Sequence, residues 1–447
     1  VEHIQEKDEA REKAEAIVRR LVEAGYPTYF AGGTVRDMLL GEQPADIDIA
    51  TAAPPDAIAS LFPKTIPVGA EFGVILVIQE GEPFEVATFR AEGPYPDGRR
   101  PAWVRPADAR TDVARRDFTI NGLLYDPLRD EIIDWVEGRK DIERRLIRSI
   151  GDPVERFSED KLRMLRAVRL AANLGFQIEE RTGSAIRDRA AEIQVVSGER
   201  IRNELVSIFT GPRPEEGLRL LESYGLLSPL LPEVSAMKGV EQGKEYHPEG
   251  DVFAHTLKIL SLLKQPTVSL AFAALLHDVG KPPTWNPGGK PLFPDHARVG
   301  AEIGEEILKR LRFDRRTRER IVKSIANHLR FLDVRHMRPA TLRRFMAGHN
   351  FDEELELHRL DCLAGSGDLS NWEFVVEKRK ELELEPLPEP PLLRGRDLLR
   401  LGFAPGPRMG EILEEVEEKR LEGALRSAED AERWVRRHYG TSLPYRG

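Results

Sequence analysis

A single cysteine in 447 residues, Cys362, excludes an intramolecular disulfide and fits a reducing cytoplasm. Long apolar runs are missing too. The longest, residues 270–276, falls well short of the ~20 residues a spanning helix needs, so no membrane partner is expected. The chain opens on a charged helical stretch, residues 6–23, without the charged-then-apolar pattern of a secretory signal. The net charge of −9 argues against indiscriminate nucleic-acid binding. It leaves room for a basic groove, because local charge decides docking.

What is present is unevenly placed. Seven arginines lie between positions 90 and 116, and a second basic cluster occupies 139–148. Histidine is almost absent before position 247, yet eight of the ten fall between 247 and 358. The first half therefore reads as phosphate handling and the second as metal binding. The length suggests about three domains of ~150 residues.

The most informative stretch is Gly32-Gly33-Thr34-Val35-Arg36-Asp37, followed by Asp46-Ile47-Asp48. Two glycines at a strand-to-helix turn let backbone N–H groups approach a phosphate without a side chain in the way. On a strand, a spacing of two places Asp46 and Asp48 on one face. Two adjacent carboxylates repel unless a divalent cation lies between them, so beside a phosphate cradle they predict a Mg²⁺ site for phosphoryl or nucleotidyl transfer. Taken singly, each half is also consistent with a turn and two exposed aspartates. Glu85, within an apolar strand, is a candidate third acid or an edge residue.

Two more constellations extend this reading. In Arg115-Arg116-Asp117-Phe118-Thr119-Ile120-Asn121-Gly122, arginines can grip a triphosphate while Asp117 and Asn121 bond a ribose hydroxyl. A charged helix start capped by Asp117 is the plainer alternative. In Glu159-Asp160, followed by Arg163, Arg166 and Arg169, helical spacing aligns the charges on one face. That pattern is a surface salt-bridge ladder or the wall of a nucleotide pocket. In the second case Asp160 accepts from an exocyclic amine while Arg163 donates to the ring, which suits cytosine or adenine. Arg166 and Arg169 would then hold the phosphates.

The coarse pattern is α+β. Short β-branched or aromatic runs (28–30, 74–78, 84–89) predict a small mixed β-sheet, and amphipathic helices follow from about 158 onward (161–174, 199–209, 215–224). Residues 238–248 look like a linker, helices resume at 253–263 and 271–277, and the Pro-rich 385–391 marks a second boundary before a helical tail, 409–419 and 428–438. The expected domains are 1–150, 151–237, 238–384 and 385–447.

These motifs, in this order, resemble the signatures of class II tRNA nucleotidyltransferases and bacterial poly(A) polymerases. The likeness covers roughly residues 20–230. Ile133-Asp134 through Arg139 is similar to that family's head–neck spring, and Glu199-Arg200 through Glu204 to its last neck motif. The resemblance implies a head with a five-stranded mixed sheet and helical neck and body domains. It also implies two-metal transfer of CMP and AMP from CTP and ATP to a tRNA 3′ end. Gly33, Arg36, Arg116, Asp117, Asn121, Asp160, Arg163, Arg166 and Arg169 are the implied nucleotide contacts. Family members add CCA, CC, A or poly(A). Residues 90–114 correspond to the loop that is shortened in CC-only relatives, and here that loop keeps Asp97-Gly98-Arg99-Arg100-Pro101.

The histidine-rich half resembles the HD phosphohydrolases. His255, His277-Asp278 before Val279-Gly280-Lys281, and Asp361 form the core set, and His296 and His328 stand where binuclear members have further ligands. Imidazoles with carboxylates suit a transition metal such as Ni, Mn, Co or Fe that generates hydroxide at neutral pH. His247, His336, His349 and His358 are expected to be structural or solvent-facing. Competing readings are an A-only or poly(A) enzyme, a phosphohydrolase whose head only binds, and a noncatalytic RNA-binding protein. The oligomeric state is left open.

Overall fold

The computed structural model describes residues 2–440 other than 45, 70–72, 96–100, 244–249, 286–292 and 385–390. The Asp97-Gly98-Arg99-Arg100 segment, His247 and most of the Pro-rich boundary therefore lie outside the described residues. The chain divides into two compact units, residues 1–236 with 307–313, and 237–306 with 314–447. No helix among the described residues is long and apolar enough to cross a membrane.

The first unit begins with the helix Glu2–Glu23. Ala14, Ile17, Val18 and Leu21 recur at helical spacing and are fully buried. That stripe packs on a mixed sheet of β1 (Thr28–Ala31), β2 (Ile49–Thr51), β3 (Thr65–Gly69), β4 (Val74–Gln79), β5 (Glu82–Thr88), β8 (Leu123–Asp126) and β9 (Glu131–Asp134). Two further head strands, β6 (Arg90–Glu92) and β7 (Val104–Pro106), form a separate antiparallel pair. The main sheet runs β3-β4-β5-β2-β1-β8-β9 and is antiparallel except for β2 beside β5. That parallel pair arises because the helix Pro55–Leu61 and the β3–β4 hairpin return the chain alongside β2. Seven strands, not the five implied by the resemblance, make up this sheet. The β3–β4 and β8–β9 hairpins each contribute an edge strand.

Beyond residue 150 the unit is helical apart from one two-residue strand, Gln177–Ile178, so the mixed-sheet head followed by helices is confirmed. The helix Leu162–Leu174 buries Leu162, Leu165, Val168 and Ala172 against the helices Gly198–Phe209 and Pro214–Ser223. Burying each of these leucines contributes roughly 2 kcal/mol. Gly175 ends that helix at φ +67, and a Cβ there would collide with the Arg213 guanidinium. Both backbone and space therefore require glycine.

In the second unit the helix Val268–Leu276 is apolar all round and almost wholly buried, which makes it central. It delivers His277 and Asp278 at its end. The expected linker is only partly one. Met237, Val240 and Gln242 are buried, and Lys281 Nζ donates to Gln242 Oε1 at 2.6 Å. Residues 393–435 form a separate apolar cluster around Leu398, Ile412 and Val435, carried by the helices Gly395–Arg400, Pro407–Leu421 and Ala428–Tyr439.

Candidate functional site

Asp46 and Asp48 lie in the lead-in to β2 rather than on the strand itself. The ladder nevertheless reaches them, since Ala31 N–H donates to Asp48 O at 3.0 Å. Thr34 pins the segment, its hydroxyl donating to Asp46 O at 3.2 Å and accepting from Asp48 N–H at 2.9 Å. The parallel register Ile49↔Val86 puts Glu85 beside Asp48 one step earlier. All three carboxylates line one cavity of 760 Å³. Asp48 is accessible but sits in a concave floor. Desolvation there, then Glu85 and Asp46, pushes its carboxyl up to about 6 against the pull of Arg116 and Arg36. A carboxylate so disfavoured gains most from a cation.

Asp48 also borders a second cavity of 560 Å³, lined by Gly33, Arg116, Asp117, Asn121, Asp160, Arg163 and Arg166 among others. Gly32, at φ +67, lets the backbone turn here, and a Cβ would come within 3.2 Å of Arg116 Nη1. Two expected contacts do not line this cavity. Arg36 bridges Asp37 Oδ1 (2.7 Å) and Asn121 Oδ1 (2.8 Å), and Arg169 is taken by Glu204 Oε2 at 2.6 Å.

The side chains that do line the cavity are themselves paired. Asp112, buried at positions i−3 and i−4 to the arginine pair, binds Arg115 Nη2 at 2.6 Å and Arg116 Nη2 at 2.9 Å. Asp117 meets Arg166 Nη2 at 3.0 Å. Burial raises the Asp117 carboxyl, but Arg166 and Arg163 outweigh that and hold it below the ordinary range. Asp160 is not on a helix face. It stands at the junction before Leu162–Leu174, where its Oδ1 accepts Leu162 N–H at 3.1 Å. Arg200 grips both its oxygens, at 3.1 and 2.6 Å. Arg163 donates to Glu159 Oε2 at 2.7 Å and to Arg115 O at 3.0 Å. The spring-like segment is tied down by Asp134, whose carboxylate accepts the N–H groups of Val136, Gly138 and Arg139.

Thr34, Asp112 and Arg200 were not among the expected site residues. The first two had a sequence signal: a threonine directly after the glycine pair, and an aspartate one helical turn before the arginines. Arg200 lay in the quoted neck motif, but its partner 40 residues away could not be read from spacing.

In the second unit the expected ligands form two groups, His255, His277 and Asp361, and Asp278, His296 and His328. Donor atoms in each lie within 4.8 Å of one another. His255 Nε2 is 2.9 Å from Asp361 Oδ1. His277, His296 and His328 each point Nδ1 at the carbonyl three residues earlier, at 3.0, 2.9 and 2.6 Å. Those carbonyls accept Nδ1–H and leave every Nε2 as a lone-pair donor. The Nε2 atoms of His296 and His328 then face each other at 3.2 Å, and His277 Nε2 is buried without a hydrogen bond. Burial lowers the proton affinity of His296 and takes that of His328 down to about 4, so no proton separates the lone pairs near neutrality. Despite burial, His277 and Lys281 hold the Asp278 carboxyl, and His255 the Asp361 carboxyl, below the ordinary carboxylate range. Imidazoles and carboxylates gathered in this way are a donor set that fits divalent metal ions. His358 stacks on Phe331 at 4.7 Å, as a structural residue does.

Comparison with known proteins matches a family to each of the two regions that carry these sites. Residues 28–148 match the poly A polymerase head domain, 175–238 the probable RNA and SrmB-binding site of polymerase A, and 252–361 the HD domain. The CCA-adding enzyme of Lactobacillus helveticus is 31% identical over 423 residues, 94% of this chain and 95% of that one. The chain belongs to the CCA-adding enzyme family. Within the family, the Geobacillus kaustophilus protein is 46% identical over 228 residues, a match spanning 50% of this chain and about half (55%) of that relative. The crystal structure of the Bacillus stearothermophilus CCA-adding enzyme in complex with CTP superposes with a TM-score of 0.75 at 26% identity, covering 96% of this chain and 98% of that one. As a member of this family the chain is a nucleotidyltransferase.

Proposed function

We propose that this enzyme completes CCA at the 3′ end of tRNA, taking CMP and AMP from CTP and ATP. The observation that carries this reading is that Asp48 borders both cavities, so the carboxylates meet the nucleotide site at one edge. Asp46 and Asp48 would hold Mg²⁺, which when bound neutralises the reacting phosphate and lowers the pKa of the acceptor hydroxyl. Arg116 and Arg166 face the triphosphate, and Asp117 with Asn121 orients the ribose. Asp160 and Arg163 read the base edge, with Arg200 holding the Asp160 carboxylate in plane. Arg36 supports Asn121, and Arg169 anchors the helix through Glu204. Sequencing the products made on tRNAs ending before C, after C and after CC tests the assignment. Growth of each to CCA supports it. A lone added A, or a long A tail, would replace it with the A-only or poly(A) reading.

A second activity is favoured by the lone pairs left facing each other in the histidine cluster. His255, His277 and Asp361, with Asp278, His296 and His328, would hold one or two transition-metal ions (Ni, Mn, Co or Fe) that supply hydroxide for phosphoester hydrolysis. Metal analysis of the purified protein, together with hydrolysis of phosphomonoesters and 2′,3′-cyclic phosphates, tests this. A metal-free, inactive cluster after reconstitution with each ion would refute it.

A further inference from the structure

The nucleotide cavity is built almost wholly from charged side chains and glycine. Among the described residues Tyr95 is its one aromatic lining residue, following β6. Charged groups can recognise a triphosphate and the polar edge of a base. The arginines that could cover its flat, weakly hydrated face are held in ion pairs with Glu92, Asp112, Asp117, Glu159 and Asp160, and an aromatic ring suits that face best. We propose that Tyr95 is the stacking surface for the incoming base, with Glu92 as its positioning residue. This rests on reading the cavity as the nucleotide site.

The geometry holds Tyr95 in place. Its phenol donates to Glu92 Oε2, and Glu92 Oε1 is gripped by Arg90 Nε at 2.8 Å and Arg115 Nη1 at 3.1 Å. Arg115 in turn is fixed by the buried Asp112, and its carbonyl accepts from Arg163 Nη2 at 3.0 Å. The aromatic ring and the base-reading guanidinium are thus tied to the same residue, one through its side chain and the other through its backbone. Tyr95, Asp160 and Arg163 line the same cavity. The base would be read at its edge by Asp160 and Arg163 and covered on its face by Tyr95. Stacking does not depend on which base is present, so one tyrosine serves both CTP and ATP.

The test measures equilibrium binding of CTP, ATP and inorganic tripolyphosphate to the full chain and to Tyr95→Ala, Tyr95→Phe and Glu92→Gln. Tyr95→Ala should weaken CTP and ATP by about thirtyfold, the middle of the range for loss of one base–aromatic stack. Tripolyphosphate, which has no base, should bind it unchanged. Tyr95→Phe keeps the ring and should stay within about threefold of the parent, and Glu92→Gln should fall between the two. Parent-like CTP binding by Tyr95→Ala would overturn the proposal. An equal loss for tripolyphosphate would also overturn it, because it would mean a structural role. If the parent chain itself binds no CTP, the nucleotide-site reading fails instead, a distinct outcome.

Discussion

The two candidate sites treat charge in opposite ways. In the nucleotide cavity every reading side chain already has a protein partner: Asp160 has Arg200, Arg163 has Glu159, Arg166 has Asp117 and Arg116 has Asp112. In the histidine cluster the donors are turned inward with lone pairs unmatched, His296 against His328 at 3.2 Å and His277 Nε2 without a hydrogen bond. A substrate that enters and leaves suits the first arrangement, because each contact it makes can be exchanged for an internal one. A resident cation suits the second, because burial makes unmatched donors costly until an ion joins them. One site is built for turnover and the other for retention.

The strongest way to break this contrast is at the head carboxylates. Asp48→Ala or Asp46→Ala should reduce nucleotide addition by about a thousandfold or more, since a ligand to the ion at the reacting phosphate is lost. Incorporation of labelled CMP measures it, and near-normal turnover with Mg²⁺ would remove these residues from the site. Metal content of the histidine cluster should not change.

The converse variant, His277→Ala with Asp278→Ala, should lose bound transition metal and any phosphoesterase activity. Nucleotide addition should stay within about twofold, because each unit carries its own ligand set. The unfolding midpoint serves as the control. If nucleotide addition collapses while that midpoint holds, the two-site view is wrong.

A smaller effect sharpens the description of the exchangeable site. Asp160→Ala should cut discrimination against UTP and GTP by roughly tenfold or more while changing triphosphate affinity little, as expected when one base-edge acceptor is removed. Selectivity measured in competition assays that stays at the parent level would assign Asp160 a purely structural task with Arg200.

The mildest test uses pH. His328 has its proton affinity lowered from 6.5 to about 4, so below 6.5 the unfolded chain takes up a proton that the folded site refuses. Metal-free protein should therefore lose stability as pH falls from 6.5 towards 4, and added metal should oppose that loss. At the head the shift runs upward instead, and the expected response again rises with pH. The Asp48 carboxyl is raised to about 6, so at limiting Mg²⁺ nucleotide addition should rise with pH through 6, and excess Mg²⁺ should move that midpoint lower. A midpoint that does not respond to Mg²⁺ would dissociate Asp48 from the ion.

Much of this molecule was legible in one dimension. The glycine pair with Asp46 and Asp48, the fully apolar stretch ending in His277-Asp278, and the amphipathic helices after residue 158 are local signals. Spacing and residue type determine which groups can share a face or end a helix. The α+β order and the division of phosphate from metal chemistry followed from them. Tertiary structure alone decided the pairings. Nothing near Asp160 in sequence announces Arg200, and spacing along one helix grouped Arg169 with Arg166, although Glu204 on another helix claims it. Glu85 became a neighbour of Asp48 only because β2 and β5 align in parallel across 36 intervening residues. His296 and His328 turned into facing donors because the helix that starts at His296 and the helix that stops just before His328 meet at the same buried point. A sequence states which charges and lone pairs a chain possesses. Which of them neutralise one another depends on distance in space, and the packed fold sets that distance.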